Sequence, residues 1–360
     1  DQAVLLGALA YFLMGGASML VGVFQRHESI WRAALAELLG RAVLLVLVAL
    51  IAIRSPGVVE MIAASVVANG IWLLAMVKLA KPFVHIRPRF EWNEWARIIT
   101  RSWPIAVSII FNLLYLKGDI LFLAYFRPQA EVGLYGMAYR IIDVMTVLPM
   151  MYMGLVLPGL VSAWSAGRTE EFRSSAAKTF DLFMLTVIPL VVGGHLVATQ
   201  LIVLIAGEEF ATAGPVLELL ILALLGVFLG TLFGHLVVAI NKQKVMTWGY
   251  VAVAIISIAG YYLLIPPYGI WGAVWMTLFS EGLVAIITFA LVSRVSGVFP
   301  RLTVTLKALA ASGVMYLALL GLPNAPVLVD LLVGVLVYGG SLVALRAVTV
   351  SQLKSLLPTR

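Results

Sequence analysis

Long apolar stretches follow one another along almost the whole chain, and only short polar segments separate them. A helix needs about 20 mostly apolar residues to cross a bilayer. Eleven stretches approach that length, at roughly 3–24, 31–53, 58–79, 103–126, 133–158, 181–206, 214–240, 245–265, 270–293, 305–322 and 326–345. Residues 43–53, VLLVLVALIAI, are apolar at every position, whereas the strands of membrane barrels alternate lipid-facing and lumen-facing residues. The pattern therefore predicts an all-α, polytopic integral membrane protein with about 11 transmembrane helices.

The spacing of the spans predicts four segments along the chain. They are three spans at 1–80, a basic linker at 81–102, six spans at 103–293, and two trailing spans with a tail at 294–360. Within the linker, two tryptophans and two isoleucines recur at helical spacing, at Trp92, Trp95, Ile98 and Ile99. This recurrence predicts an amphipathic helix that lies in the membrane interface and leads into the fourth span.

Three glycines of the seventh span, Gly226, Gly230 and Gly234, lie on one helical face. Small residues four apart allow membrane helices to approach each other closely. We therefore expect this face to be a packing surface rather than a hinge.

Composition and charge agree with a membrane protein and add an orientation. Hydrophobic residues make up 62% of the chain and charged residues 11%, whereas soluble domains are about half apolar and a quarter charged. Of the 24 Lys and Arg residues, 19 lie in one set of alternate loops or in the C-terminal tail, and only Arg54 and Arg127 lie in the other set. Basic loops mark the cytoplasmic side. The asymmetry predicts a cytoplasmic C-terminus in the inner membrane, and it accounts for the net charge of +7 without nucleic-acid binding.

Charged side chains inside the predicted spans are the first candidates for a functional site, because a charge at mid-bilayer costs about 2.5–3.5 kcal/mol on insertion scales. They are Glu37, Arg41, Lys117, Asp119, Arg140 and Asp143. Glu37 precedes Arg41 by four residues, the favourable order for a helical ion pair. Arg140 and Asp143 are three residues apart and share a face. A purely structural pair for the first two, and an Arg140 side chain that reaches the interface, stay open as alternatives.

A narrow polar stripe runs along the fourth span and consists of Ser108, Asn112, Tyr115 and Asp119. At about 100° per residue, these four side chains share one face of a helix. We expect the stripe to line a cavity between helices. Lys117 lies on a different face, where it meets another helix or a second part of the cavity. His195 and His235 also lie within spans, where packing or hydrogen bonding is favoured over proton transfer, and Glu281 is left open between cavity lining and a polar helix end.

The sequence lacks the common catalytic and metal-binding motifs. It contains no cysteine, no phosphate-binding loop of the type GxxxxGK[ST], no HExxH and no GxSxG. We therefore predict a protein that is not an enzyme and has no cofactor and no metal site. A membrane-embedded glycosyltransferase is the main enzymatic alternative, and a membrane scaffold without transport activity is the structural one.

Five segments in sequence order carry a family likeness. They are GDILFLAYFRPQAEVGLYGMAYRI (118–141), LPMMYMGLVLPGLVSAWSAGRTEEFR (148–173), IAGEEFATAGPVLELL (205–220), VVAINKQK (237–244) and LLIPPYGIWGAVWMTLFSE (263–281). The first joins a span that contains Asp119 to a Val-Gly-x-Tyr start of the next span. The last is similar to an Ile-Pro-x-Tyr-Gly-Ile-x-Gly-Ala turn. In these features the chain resembles the O-antigen type polysaccharide flippases of the multidrug/oligosaccharidyl-lipid/polysaccharide exporter superfamily.

The resemblance implies a fold of two six-helix lobes followed by two trailing helices. This chain would hold helices four to fourteen, with an incomplete first lobe. Because the sequence begins without Met, we expect it to be N-terminally truncated.

The resemblance also implies a function, which is to flip a lipid-linked oligosaccharide, a polyprenyl-pyrophosphate glycan, across the cytoplasmic membrane for polysaccharide biosynthesis. Two lobes would expose a central cavity to each side in turn. Arg41, Lys117 and Arg140 would face the anionic head group, and Asp119 would tune these cations or carry a coupling proton or sodium ion. Glycosyltransferases and a polysaccharide polymerase are the implied partners. An ion-coupled multidrug or cation antiporter of the same superfamily and a lipid II flippase stay open as alternatives.

Overall fold

The structure is a bundle of helices. The computed structural model describes residues 2–54, 57–84, 91–322 and 325–347, with the side chains in these ranges except those of Arg54, Arg101 and residues 104–116. The α-helices in this part of the chain are α1 Gln2–Arg26, α2 Ile30–Arg54, α3 Val58–Ala80, α4 Trp92–Phe126, α5 Gln129–Ser165, α6 Thr169–Ala206, α7 Gly214–Leu220, α8 Ala223–Ala239, α9 Gln243–Tyr268, α10 Ile270–Ser296, α11 Thr303–Leu320 and α12 Val327–Ala344. A short 3-10 helix, Glu208–Ala213, precedes α7.

The number of apolar helices confirms a polytopic membrane protein. Among the described residues, nine helices are long and apolar enough to cross a bilayer, and a bent pair, Glu208–Leu220 with Ala223–Ala239, provides a tenth. That pair corresponds to the span expected at 214–240, and it is broken and bent by 49°. The remaining predicted span, 103–126, falls in α4, where most of the side chains lie outside the described set. The amphipathic segment expected in the linker is the start of α4, and Trp92 is exposed there.

The chain divides after Arg101 into two compact units. The first contains α1, α2 and α3, with α3 packed against both of the others. Its core is small and is built around Phe24, Met76 and several alanines. The amide of Asn69 on α3 donates a hydrogen bond of 3.0 Å to the carbonyl of Ala10 on α1. Large apolar side chains such as Leu45 remain exposed, as expected for helices that face lipid. The division of the chain into four segments stays a prediction.

The second unit contains α5 to α12 and the C-terminal part of α4. Helix α8 lies at its centre and packs against α5 and α10, while α6 packs against α5, α11 and α12. Large buried side chains, among them Tyr135, Phe172, Phe228 and Tyr261, form one continuous core. This unit holds most of the buried polar groups described below.

The glycine face of α8 packs closely, as the sequence predicts. A Cβ atom on Gly226 would lie 2.8 Å from the backbone carbonyl carbon of Glu281 on α10. One turn further on, a Cβ on Gly230 would lie 3.4 Å from Val284, and one on Gly234 would lie 3.3 Å from the Tyr250 hydroxyl. The contact with α10 is therefore tightest at Gly226, whereas Gly234 faces Tyr250 of α9.

The turn between α9 and α10 requires glycine at two positions of the segment LLIPPYGIWGAVWMTLFSE (263–281). Gly269 has φ +56°, a conformation that side chains disfavour. A Cβ there would also lie 2.6 Å from Glu131, which forms an ion pair of 2.7 Å with Arg127. At Gly272, a Cβ would lie 2.4 Å from the carbonyl oxygen of Leu264. The sharp hairpin therefore requires glycine at both positions.

Segments that the charge asymmetry places on one side of the membrane lie at one end of the second unit. Arg173, at the start of α6, donates a hydrogen bond of 2.8 Å to the carbonyl of Ser296 at the end of α10. Lys307 donates one of 2.9 Å to the carbonyl of Arg346. All four residues belong to segments predicted to be cytoplasmic, and the geometry agrees with one common side.

Candidate functional site

Asp119 on α4 is the centre of a buried hydrogen-bond network. The carboxylate is only 1% exposed. It accepts a hydrogen bond of 2.5 Å from the Tyr135 hydroxyl, one of 3.3 Å from the Thr277 hydroxyl and one of 2.8 Å from the backbone N–H of Ile120. A buried charge or polar group is stable only when it has such partners. The network joins α4, α5 and α10, so it fixes the relative position of three helices.

Lys117 belongs to a second polar cluster on the other side of α4. Its ammonium group lies 2.8 Å from both carboxylate oxygens of Asp143 on α5. It also lies 4.2 Å from the centre of the Tyr139 ring, in a cation–π contact. The Lys117 and Asp143 side chains are 39% and 44% exposed. The two charged residues of the fourth predicted span therefore have different surroundings. The Asp119 side chain is enclosed by protein, while the Lys117 side chain faces open space.

That open space is a cavity of about 430 Å³ in the second unit. Its wall contains apolar positions of α5 and α8, with polar and charged groups at Lys117, Asp143, Thr146, Thr231, His235, Tyr250, Thr277 and Glu281. Two of the tightly packed glycines, Gly230 and Gly234, also line it, because their missing side chains leave room. Asp119 does not line the cavity, but its hydrogen-bond partner Thr277 does. The cavity wall is mostly apolar and carries a few polar and charged side chains, and such a small number of placed polar groups is typical of ligand-binding sites.

The other predicted site residues lie elsewhere. Glu37 and Arg41 form the expected i,i+4 pair at 3.3 Å, in the first unit and largely exposed. Arg140 is exposed on α5, and the described part of the chain offers it no ion pair. Its neighbour Asp143 pairs with Lys117 instead. Ser108, Asn112 and Tyr115 lie outside the described side chains, so the polar stripe that they form with Asp119 stays a prediction.

Sequence reasoning missed Tyr135, Tyr139 and Thr277 as members of the site. None of them is charged, and aromatic or hydroxyl residues are common in membrane helices, so no local signal distinguished them. For His235 the sequence favoured packing or hydrogen bonding, and for Glu281 it left the role open; both line the cavity. The Nδ1 of His235 lies 2.7 Å from the Thr231 carbonyl of its own helix. Among the described residues, no group of three or more His, Cys, Asp or Glu side chains is placed to hold a metal ion.

Removing one hydroxyl from the buried network should measurably destabilise the fold. In Tyr135→Phe, the buried Asp119 carboxyl loses its shortest hydrogen bond. A buried polar group left without its partner costs about 1–3 kcal/mol. We therefore expect a lower thermal midpoint in detergent. Tyr268→Phe, at a tyrosine that is 62% exposed, is the matched control and should leave the midpoint unchanged. Equal midpoints for the two variants would contradict the structural role of the network.

Comparisons with known proteins agree with this architecture. A family model described as "Polysaccharide biosynthesis protein" matches residues 2–215. The probable low-salt glycan biosynthesis flippase Agl15 of Haloferax volcanii is 24% identical over 221 residues, which are 60% of this chain. The same region is 45% of that relative, so the chain spans less than half of the relative's length.

Among solved structures, the fold is similar to that of the lipid II flippase MurJ in its inward closed conformation. The TM-score is 0.77 at 13% sequence identity, and the match covers 94% of this chain and 72% of the other. At this identity the likeness establishes a shared fold. The family model covers more than half of the chain, and the chain therefore belongs to the polysaccharide biosynthesis protein family.

Proposed function

We propose that the chain is part of a flippase that carries a lipid-linked oligosaccharide across the cytoplasmic membrane by alternating access. The observation that carries this proposal is the cavity in the second unit, whose mostly apolar wall holds a few polar groups, among them the ammonium group of Lys117. Membership of the family and the likeness to the probable glycan biosynthesis flippase of Haloferax volcanii support it. The proposal excludes catalysis, because translocation makes and breaks no covalent bond.

The chemistry of the substrate fits this cavity through its charge. A polyprenyl-pyrophosphate glycan has an anionic diphosphate between its sugar and its lipid. Lys117 is the only described Lys or Arg side chain in the cavity wall. Its partner Asp143 holds it in place while the cavity is empty, and a diphosphate oxygen would compete for the same ammonium protons. The glycan hydroxyls would find hydrogen-bonding partners in Thr146, Thr231 and Tyr250.

A cation antiporter is the second candidate, and one feature of the cavity favours it. The wall contains two carboxylates, Asp143 and Glu281, against the single ammonium of Lys117. Two tyrosines, Tyr139 and Tyr250, add aromatic faces that suit a cation. Family membership makes the glycan the first choice.

The deciding experiment reconstitutes the full-length protein into vesicles. Three fluorescent probes are compared: a polyprenyl-pyrophosphate oligosaccharide, lipid II, and an organic cation. Transfer between the leaflets is followed by the loss of probe fluorescence when a quencher is present outside the vesicles. We expect transfer of the oligosaccharide lipid and none of the cation. Transfer of lipid II alone would assign the narrower substrate, and transfer of the cation alone would overturn the proposal.

A variant that fills the cavity should stop transfer. Gly230→Trp places an indole at a position that lines the cavity and packs near Val284. Gly159→Trp is the matched control, because Gly159 is exposed on α5 and has open space around its Cα. We expect at least about tenfold slower transfer for the first variant, a change of about 1.4 kcal/mol in the barrier, and no change for the second. Equal rates would show that transfer does not pass through this cavity.

We further propose an inner-membrane location with the C-terminus in the cytoplasm, from the distribution of Lys and Arg. A green fluorescent protein fused after the C-terminal tail should fluoresce, since it folds only in the cytoplasm. An alkaline phosphatase inserted between Arg127 and Pro128, in the opposite set of loops, should be active. The reverse pattern of signals would invert the topology.

A further inference from the structure

A second polar pocket lies at one end of the second unit, away from the transport cavity. It has a volume of about 380 Å³ and lies between the first turns of α6 and the segment that follows α10. Three cations and two acids line it, at Arg173, Lys178, Arg301, Glu170 and Asp181. None of the residues that line it lines the transport cavity. The pocket therefore has a net positive charge and is independent of the proposed substrate site.

The position of Arg173 in this pocket is fixed by the backbone. Its Nε donates a hydrogen bond of 2.8 Å to the carbonyl of Ser296, and its Nη1 donates one of 2.9 Å to Glu170. Gly297 has φ +68° and ends α10, and a Cβ there would lie 2.6 Å from Nη2 of the same guanidinium. Within the part of the chain that the structure describes, Nη2 donates to no protein atom. The guanidinium is thus held in place with one nitrogen left for a ligand.

An apolar pocket of about 330 Å³ adjoins the polar one. Phe299 lines both, and Phe180 of α6 lines the apolar pocket next to Ala177, Lys178 and Asp181 of the polar one. Inside, ring contacts run from Phe233 to Phe289 at 5.0 Å and from Phe289 to Phe299 at 6.4 Å. Phe299 itself is 71% exposed. The two pockets together form one amphipathic site, with charges at one end and aromatic rings at the other.

The site lies at the end of the unit that carries the predicted cytoplasmic loops, where lipid head groups meet acyl chains. Basic pockets between membrane helices on that side bind anionic head groups. We propose that the composite site binds one anionic phospholipid of the cytoplasmic leaflet. Its phosphate contacts Arg173, Lys178 and Arg301, and one acyl chain occupies the pocket around Phe289. Three cations against two acids leave one positive charge, which matches a singly charged head group such as phosphatidylglycerol.

A lipid in this position would join α6 to the connection between α10 and α11. Both walls of the polar pocket belong to segments that are otherwise held together by the Arg173–Ser296 hydrogen bond. The lipid would therefore brace the end of the bundle at which α6 begins and α10 ends. This role differs from that of a transported substrate, because the lipid stays bound.

The test measures lipid bound to the full chain by native mass spectrometry after titration with phosphatidylglycerol or phosphatidylethanolamine. Two variants challenge the site: the double charge reversal Lys178→Glu with Arg301→Glu, and Ala285→Phe, which fills the apolar pocket. Arg173 is left intact because it also supports the fold. The matched controls are Lys242→Glu with Lys244→Glu, exposed cations on the same predicted side, and Leu306→Phe at an exposed position outside the pocket.

We expect wild type to retain phosphatidylglycerol in preference to phosphatidylethanolamine. Both site variants should bind it at least about tenfold more weakly, a change of about 1.4 kcal/mol, while both control variants stay close to wild type. Equal retention of the two lipids would overturn the proposal. An equal loss in the control charge reversal would also overturn it, since it would indicate general surface attraction. Retention of farnesyl diphosphate but not of phosphatidylglycerol would overturn the proposal and assign the site to a polyprenyl diphosphate carrier lipid instead.

Discussion

Gly272→Ala is expected to destabilise the second unit by about 1–3 kcal/mol or more, which is the usual cost of forcing atoms into a packed core. The added Cβ would lie 2.4 Å from the carbonyl oxygen of Leu264 and 2.6 Å from its carbon. Both are backbone atoms of α9, so no side chain can move aside to relieve the contact. The hairpin between α9 and α10 would have to open, and Thr277 would shift away from Asp119. We expect a large drop in thermal midpoint or in the yield of folded protein.

Gly282→Ala on the same helix is the matched control, and it should change the stability of the protein in the opposite direction. A Cβ at Gly282 meets nothing within 4 Å. Replacing a helical glycine by alanine at an unstrained position stabilises a protein by about 0.4–1 kcal/mol, because the unfolded chain loses freedom. Thermal unfolding of the two variants in the same detergent compares the effects directly. A fall in midpoint of similar size in both would mean that the close approach at Gly272 does not determine stability.

Lys117→Met is expected to slow glycolipid transfer by about 10- to 100-fold, because a hydrogen bond to a charged group contributes about 1.5–3 kcal/mol. The substitution keeps the length of the side chain and removes the ammonium group that faces the cavity. It also leaves Asp143 without its partner at 2.8 Å. Both effects disfavour an anionic head group, since a cation is lost and an unpaired carboxylate remains. Transfer is measured in the vesicle assay with the oligosaccharide lipid.

The double variant Lys117→Met with Asp143→Asn separates binding from structure. Its cavity has neither the cation nor the unpaired acid, and the pair is too exposed for its loss to unfold the protein, since exposed pairs contribute about 0.2–1 kcal/mol. If Lys117 binds the diphosphate, the double variant stays slow although its thermal midpoint is close to that of wild type. Recovery of transfer in the double variant would show that the ion pair is structural and would remove Lys117 from the mechanism.

The sequence could predict the membrane helices because crossing a bilayer is a local requirement. Each span has to satisfy its own backbone hydrogen bonds and present apolar side chains to lipid, so its signal lies within about 20 consecutive residues. The break between α7 and α8 was missed for the same reason. Residues 214–240 are mostly apolar on both sides of the break, and the 49° bend depends on packing against neighbouring helices. The ion pair Glu37–Arg41 was accessible because both residues lie on one helix.

The partners of the buried charges were decided by the tertiary structure. Lys117 and Asp143 are 26 residues apart, and Asp119 and Thr277 are 158 apart, so no spacing rule within a helix connects them. Helical periodicity placed Lys117 and Asp119 on different faces, but only the packing of α4 against α5 and α10 supplied what each face meets. The sequence alone determined that charges lie within apolar helices and must find partners, because lipid cannot solvate them. Which charge is enclosed by hydroxyl groups and which one faces a cavity follows from how the helices pack, and that arrangement exists only in the folded chain.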